Sequence, residues 1–203
     1  AGAVGTSCAR CTANTCTPVT NETCAAPLIA YAENFDSSAS SLEPATTSTT
    51  VGWRVLSSYE GAQVRSGLYS LYFGDPLALT YDDGGQTVSG EVNWMVSVPE
   101  GDGWVIEWWQ LLSLDLSDVP LPINDVFQVT IIELESSSVT TVFSNKPSYG
   151  AYELWSKQTV DLAPFAGKSV AVLFSFTSGD GAYNDGKGIF LDDLRVIRWA
   201  PGN

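Results

Sequence analysis

Short segments rich in β-branched and aromatic residues recur along most of this chain, and polar stretches with turn-forming residues separate them. In the segment 169–178, Val170, Val172, Phe174 and Phe176 occupy alternate positions, which is the pattern of a strand with one buried face. Comparable patterns predict strands at about 28–35, 51–57, 62–66, 68–74, 87–98, 104–112, 126–134, 138–144, 153–162, 169–178 and 188–199. No segment has the pattern of a convincing amphipathic helix.

The polar segments between these strands have the composition of loops and turns. The stretch 36–50 is a polar loop, the Asp-Gly-Gly at 83–85 is the strongest turn signal, and an Asp- and Gly-rich turn at 100–103 connects two strands. Strands without helices bury their apolar faces by packing as two sheets. The sequence therefore predicts an all-β, two-sheet antiparallel jelly-roll β-sandwich at 28–203, preceded by a Cys-rich N-terminal arm at 1–27.

The charge of the chain limits its partners. Its 203 residues include 23 acidic and 9 basic side chains, for a formal net charge of −14. Such a charge argues against nucleic acid and anionic membrane surfaces as partners, and it favours cations. The absence of His excludes His-dependent catalytic triads, and no apolar run reaches transmembrane length.

The N-terminal segment has the features of an exported protein. The chain begins at Ala1 without a Met, as expected after removal of a signal peptide, so we expect it to be secreted and extracellular or at the cell surface. All four cysteines lie in the arm, at Cys8, Cys11, Cys16 and Cys24. We expect two disulfides, with three connectivities open, and zinc is the alternative.

The same arm has too few apolar residues to form a core of its own. We predict that it docks on a neighbouring subunit by adding a strand to an exposed sheet edge. Head-to-tail contacts of this kind generate filaments. The alternative is that the arm packs on its own domain. The arm also contains a glycosylation sequon at 21–23.

The order of several motifs resembles that in a known family. They are WRV at 53–55, LYFGDP at 71–76, a Tyr-Asp-Asp turn at 81–83, VSVP at 96–99 and TVDLAPFAGKSVAVLFSFTSGDGAYNDGKGIFLDDLRV at 159–196. This order is similar to that of MAM-like, concanavalin-type jelly-roll modules of secreted bacterial proteins and, more distantly, of carbohydrate-binding jelly-roll modules. The resemblance implies a jelly roll without catalytic activity, and it implies no single ligand.

The more distant resemblance also implies a structural Ca²⁺, shared between an acidic residue of the first strand and an Asp of the last. The matching residues in this chain are Glu33, Asp36, Asp192 and Asp193. Successive strand residues point to opposite faces, so one of the two neighbouring Asp side chains should face inward, where a carboxylate needs a cation or several donors. The alternative is a solvated pair beside a turn.

The loop at 179–186 is rich in oxygen ligands and in turn formers. Asn184 or Asp185 could supply a further ligand to the calcium site. The alternative is an ordinary long hairpin turn.

Tryptophan residues supply a candidate ligand surface. We predict that Trp94, Trp104 and Trp108 form a platform that stacks on sugar rings, since aromatic faces suit the apolar faces of pyranoses. Trp104 and Trp108 share one face of their strand, whereas Trp109 lies on the other, so one of these sets belongs to the core. Packing between the sheets is the alternative for each of them.

The function expected from these features is non-catalytic. Glu107 and Glu133 could serve a glycosidase only if the fold brought them together, and no pattern places them so. We expect a structural or adhesive surface module that self-associates or binds other surface proteins, with structural calcium. The alternative is a carbohydrate-binding module with a glycan partner.

Overall fold

The computed structural model describes residues 8–12, 15–19, 26–46, 50–114, 125–145, 153–182, 184 and 186–199. Within them the strands are β1 (Cys8–Thr12), β2 (Thr15–Val19), β3 (Leu28–Glu33), β4 (Glu43–Thr46), β5 (Gly52–Ser57), β6 (Tyr69–Gly74), β7 (Ser89–Ser97), β8 (Trp104–Ser113), β9 (Val126–Glu133), β10 (Val139–Ser144), β11 (Ser156–Asp161), β12 (Ser169–Thr177) and β13 (Gly188–Arg198). Two single-turn 3₁₀ helices, at Ser58–Glu60 and Ala163–Phe165, are the only helical elements of the described residues.

Two antiparallel sheets form a sandwich, which confirms the predicted fold class. The five-stranded sheet has the order β10-β9-β12-β7-β4, and the six-stranded sheet has the order β11-β8-β13-β6-β5 with β3 paired to β13. The C-terminal strand β13 therefore lies at the centre of its sheet, between β8 on one side and both β3 and β6 on the other.

The core lies between the facing sides of the two sheets. The four residues predicted to share the buried face of β12 are all buried, as the alternation indicated. Trp108 of the six-stranded sheet packs edge-to-face on Phe174 of the five-stranded sheet, with ring centroids 5.9 Å apart. Phe73 of the six-stranded sheet packs on Phe176 of the five-stranded sheet in a tilted arrangement, with ring centroids 4.9 Å apart. Aromatic contacts across the layers thus hold the sandwich together.

Most predicted strands are present, and two local predictions are wrong. The stretch predicted as one polar loop contains β4, because its backbone pairs with β7 despite its polar sequence. The short strand predicted at 62–66 is not a strand. This segment instead crosses the outer face of the six-stranded sheet.

A second, smaller apolar cluster lies under this crossing segment. Leu56, Tyr72, Leu111 and Phe190 on the outer face of the sheet pack against Ala62, and the rings of Tyr72 and Phe190 stack at 4.7 Å. The segment therefore covers part of the outer face. The adjoining part, formed by β8, β13 and β11, carries charged side chains.

The part of the arm that is described is a hairpin. β1 and β2 pair with each other and, among the described strands, with no other.

Candidate functional site

The outer face of the six-stranded sheet carries two rows of cross-strand neighbours. In one row Arg195 of β13 lies opposite Glu107 of β8, which lies opposite Thr159 of β11. In the next row Trp109 of β8 lies between Asp192 of β13 and Lys157 of β11. Cross-strand partners share a face of the sheet, so these side chains form one surface, which we call the outer-face site.

Trp109 gives the outer-face site its aromatic surface. Its indole is half-buried, and the guanidinium carbon of Arg65 lies 4.2 Å from the ring centroid. At this distance the cation is attracted to the ring quadrupole, an interaction worth about 0.5–1 kcal/mol at an exposed position. Arg65 belongs to the crossing segment, so this contact holds that segment against the sheet.

Glu107 is a nearly buried carboxylate on this face. Only 6% of the residue is exposed, and its carboxylate forms an ion pair with the ammonium group of Lys157. A buried carboxylate needs such a partner, because the loss of water otherwise costs several kcal/mol. The pair places an acceptor and a donor side by side next to Trp109.

Asp192 is fully buried and is held by backbone donors. Its Oδ2 accepts the N–H groups of Arg65 at 2.9 Å and Ser66 at 3.0 Å, and its Oδ1 accepts the N–H of Asp193 at 2.7 Å. Burial nevertheless raises the pKa of Asp192 from 3.8 to about 6, against the opposing effect of these hydrogen bonds. Asp192 therefore anchors the crossing segment at an electrostatic cost.

Asp193 lies at an irregularity in β13. The register between β13 and β8 shifts between Asp192 and Arg195, and Asp193 has a left-handed backbone with φ of 50°. Its carboxylate accepts a hydrogen bond from Arg195 at 2.8 Å and one from the Ser66 hydroxyl at 3.2 Å. The irregularity keeps both Asp side chains among donors instead of placing them on opposite faces.

The predicted calcium ligands are not assembled as one set. Among the described residues, no three Asp, Glu, Cys or His side chains are grouped as metal ligands. Glu33 lies at the end of β3, opposite Leu194, and its carboxylate accepts the backbone N–H of Ser41 at 2.9 Å. Asp36 accepts a hydrogen bond from Asn34. Structural calcium at these residues stays a prediction.

Asn184 lies in the loop that precedes Gly188, the first residue of β13, and its place in the calcium ligand set stays a prediction. The backbone carbonyl of Asn184 accepts the Thr80 hydroxyl at 2.9 Å. Its side chain is buried, and the Oδ1 atom has no hydrogen-bond partner. The neighbouring Asp185 lies outside the described residues.

The prediction that three Trp side chains form a platform for sugar rings is wrong. Trp94, Trp104 and Trp108 are all buried in the core cluster, so their rings pack between the sheets and are not displayed to a ligand. The alternation was right, and Trp109 is the Trp of this strand that lies on the outer face, partly exposed and with Arg65 over its ring. The signal was present in the sequence, because Trp109 shares its strand face with Glu107, whereas Trp104 and Trp108 share theirs with apolar Ile106.

The two glutamates considered for glycoside hydrolysis lie in different sheets. Glu107 is in β8 of the six-stranded sheet, and Glu133 is in β9 of the five-stranded sheet. Glu133 pairs with the Lys168 ammonium group at 2.9 Å, which lowers the pKa of Glu133. Neither carboxylate faces the other across a common cleft.

Several predictions concern residues that are not fully described. Cys24 and the sequon at 21–23 lie outside the described residues, and Cys8, Cys11 and Cys16 are described by backbone alone. None of the helices in the described residues is long and apolar enough to span a membrane.

No protein-family model matches this chain, and no curated protein matches it. Among solved structures the chain is similar to TmCBM61 in complex with β-1,4-galactotriose, with a TM-score of 0.54 and 14% identity over 81% of this chain and 94% of that one. It is also similar to the K1 cleaved adhesin domain of Lys-gingipain from Porphyromonas gingivalis W83, with a TM-score of 0.52 and 17% identity over 85% of this chain and 98% of that one.

The xylan-binding domain CBM22-1 of Paenibacillus barcinonensis Xyn10C is more remote, with a TM-score of 0.48 and 13% identity over 87% of this chain and 98% of that one. The likeness to TmCBM61 and to the cleaved adhesin domain, with TM-scores above 0.5, establishes a shared β-sandwich fold and no shared ligand. The finer resemblance to MAM-like modules stays a prediction.

Proposed function

We propose that this chain is a non-catalytic glycan-binding module, and that the outer-face site binds the sugar. The observation that carries the proposal is a half-buried indole, Trp109, bordered by the charged groups of Glu107, Lys157, Arg65 and Arg195. An aromatic edge or face contacts the C–H side of a pyranose, while neighbouring donors and acceptors bond its hydroxyl groups.

The opposite face of the sandwich supports this choice by contrast. The outward positions of β7, β9 and β12 carry small, polar or aliphatic side chains, among them Asn93, Met95, Gln128, Thr130 and Ser175. No aromatic side chain stands at these positions in the described residues. Of the positions compared, those of the outer-face site therefore offer the aromatic contact for a sugar.

The fold is compatible with this proposal. The solved complex of TmCBM61 with β-1,4-galactotriose establishes that a β-sandwich of this type binds a glycan. Two carboxylates near the site favour binding without turnover, because each is held in an ion pair: Glu107 with Lys157, and Asp193 with Arg195. A glycan-binding module would act outside the cell, in keeping with the expected secretion.

Substitution of Trp109 tests the proposal. We expect Trp109→Ala to weaken binding of the best neutral polysaccharide at least about tenfold, because it removes the apolar contact at the centre of the site. Trp109→Phe should retain part of the affinity, since it keeps an aromatic surface. Affinity gel electrophoresis against galactan, xylan and mannan, followed by calorimetry with the best ligand, measures the change.

The matched control is Trp199→Ala. Trp199 is 56% exposed and follows β13, outside the two rows of the outer-face site. We expect the Trp199→Ala variant to bind the polysaccharide as tightly as the unaltered chain does and to have the same far-UV circular dichroism. Unchanged binding in Trp109→Ala, or a loss only in Trp199→Ala, would contradict the assignment. A failure of the unaltered chain to bind any glycan would contradict the function.

The second candidate function is a self-associating adhesive module, and the edge strand β3 favours it. Among the described residues β3 pairs with β13 alone, and its Leu28 and Ile29 are 58% and 56% exposed. An edge with large exposed apolar side chains is suited to strand addition. Particle size in solution separates this candidate from glycan binding.

A further inference from the structure

We infer the disulfide connectivity of the N-terminal arm: Cys11 bonds to Cys16, and Cys8 bonds to Cys24. The inference rests on the backbone register of the arm hairpin and is independent of glycan binding. In this register Cys11 lies directly opposite Cys16, and Thr12 lies opposite Thr15 next to the two-residue loop.

The Cys11–Cys16 pair has the spacing that a disulfide requires. A two-residue hairpin closes with a hydrogen-bonded pair, here Thr12 and Thr15, so the next pair is a non-hydrogen-bonded one. Opposite residues of that kind have Cα atoms about 4.5 Å apart. Disulfides join Cα atoms about 4.4–6.8 Å apart, so this pair can be bridged without movement of the backbone.

The register excludes the two other ways of pairing four cysteines. Cys8 and Cys11 are three residues apart in the same strand, which places them about 10 Å apart and on opposite faces of the hairpin. Cys16 is opposite Cys11, so it is at least as far from Cys8. A Cys8–Cys11 or Cys8–Cys16 bond would exceed the limit of about 7 Å between Cα atoms. Cys8 is thereby left for Cys24.

The chain length permits the second bond. Val19 lies opposite Cys8 in the hairpin, and Cys24 follows Val19 by five residues. Five residues span up to about 17 Å when extended, so the connection can return to Cys8.

The same register argues against a zinc site. Four thiolates bind one tetrahedral zinc at about 2.3 Å each, so all four sulfurs must lie within about 4 Å of one another. A regular hairpin keeps Cys8 and Cys11 on opposite faces, which prevents this arrangement. Disulfides instead use each face separately.

Formation of the two bonds oxidises four thiols and needs an external oxidant. Each bond arises by thiol–disulfide exchange with an external disulfide such as oxidised glutathione, which accepts two electrons and two protons as its own S–S bond breaks. Both protein disulfides lie within the arm and none joins it to the sandwich. The arm is therefore a covalently closed unit, and any association that it mediates is non-covalent.

Two proteases turn the connectivity into a mass measurement. Trypsin cleaves after Arg10, and a Glu-specific protease cleaves after Glu22 and Glu33, which yields fragments 1–10, 11–22 and 23–33. The first fragment contains Cys8, the second contains Cys11 and Cys16, and the third contains Cys24. We expect fragment 11–22 as a free peptide two hydrogen masses below its reduced mass, and fragments 1–10 and 23–33 joined as one species, in a non-reducing digest of the intact oxidised chain.

Either of the other connectivities joins all three fragments into one species, and that result would overturn the inference. Free thiols trapped by alkylation, or zinc released on denaturation, would overturn it as well. The double variant Cys8→Ser, Cys24→Ser provides the control, because its fragment 11–22 should keep the internal disulfide. Loss of that disulfide in the variant would show that the pairs do not form independently.

Discussion

At the scale of single residues, Trp108 and Trp109 are neighbours in the chain, but their side chains lie on opposite faces of β8. Trp108 is fully buried, and its indole N–H donates to the side-chain oxygen of Gln110 at 2.8 Å. Trp109 points to the other side of β8, where Arg65 stacks on it. A buried indole needs a partner for its N–H, whereas an outward one presents an apolar edge beside charged groups. The outer-face site depends on this second arrangement.

Asp192 yields a pH-dependent prediction. Its pKa in the folded chain is raised to about 6, so the folded state binds a proton more tightly than the unfolded state, in which the pKa is about 3.8. Its contribution to stability is fully present below pH 3.8 and is lost as the pH rises through 6. We expect Asp192→Asn, which does not titrate, to gain on the order of 1–2 kcal/mol relative to the unaltered chain between pH 4 and pH 7.

Urea denaturation of both proteins at a series of pH values measures the difference between their free energies of unfolding. The test is the slope of this difference against pH, because the amide of Asn changes the stability by an amount that does not depend on pH.

The same series of measurements tests calcium binding. A calcium ion bound to Asp192 would hold its pKa below the usual value and reverse the slope, and EDTA would then lower the melting temperature of the unaltered chain. Equal slopes in EDTA and in calcium would contradict the calcium prediction.

At the scale of elements, β13 organises the six-stranded sheet. It begins beside β6, passes through the irregularity at Asp193, and ends beside β3, with β8 along its other edge. The irregularity brings Asp192 under the backbone of the crossing segment, and that segment brings Arg65 over Trp109. The aromatic and charged parts of the outer-face site are therefore positioned by one strand and one covering segment.

The first residue of β13 gives a stability prediction. Gly188 has φ of 98°, and a Cβ atom there would lie 2.1 Å from the carbonyl oxygen of Phe73 in β6. We expect Gly188→Ala to lower the free energy of unfolding by about 3 kcal/mol or more, because backbone atoms must move. This loss corresponds to a fall in melting temperature of about 6 °C or more.

Gly84→Ala is the matched control. Gly84 has φ of 66°, and a Cβ atom there would meet no heavy atom within 4 Å. Only the left-handed backbone opposes this change, so we expect a loss of about 1 kcal/mol. Equal melting temperatures for the two variants would contradict the close approach of β13 to β6.

At the scale of the whole molecule, the chain consists of a sandwich and a hairpin that share no strand pairing in the described residues. The sandwich has a core of its own, formed by both sheets. The hairpin directly precedes the exposed edge strand β3. This order is compatible with an arm that pairs with the edge of another copy, as the sequence predicted.

Removal of residues 1–26 tests this prediction. We expect the shortened chain to keep the far-UV circular dichroism of a β-sandwich and to melt within a few degrees of the full chain, because residues of both sheets form the core of the described part of the chain. If the arm mediates self-association, the shortened chain stays monomeric at concentrations at which the full chain forms larger particles. Light scattering at increasing concentration measures the difference, and a full chain that stays monomeric throughout would contradict the assembly prediction.

The amino-acid sequence by itself determined the fold class and most strands, because burial on one side of a sheet imposes a period of two that is visible locally, as at Val170–Phe176. It also determined that Trp108 and Trp109 face opposite ways. The neighbouring Ile106 and Glu107 indicated which of the two faces belongs to the core, whereas only the tertiary structure decided what covers each ring: Phe174 of the other sheet on Trp108, and Arg65 on Trp109. The partners of Asp192 were likewise hidden, since the backbone donors of Arg65 and Ser66 are 127 and 126 residues away along the chain. A local pattern of apolar residues indicates which side chains are buried, whereas contacts between distant segments decide which groups surround a buried side chain.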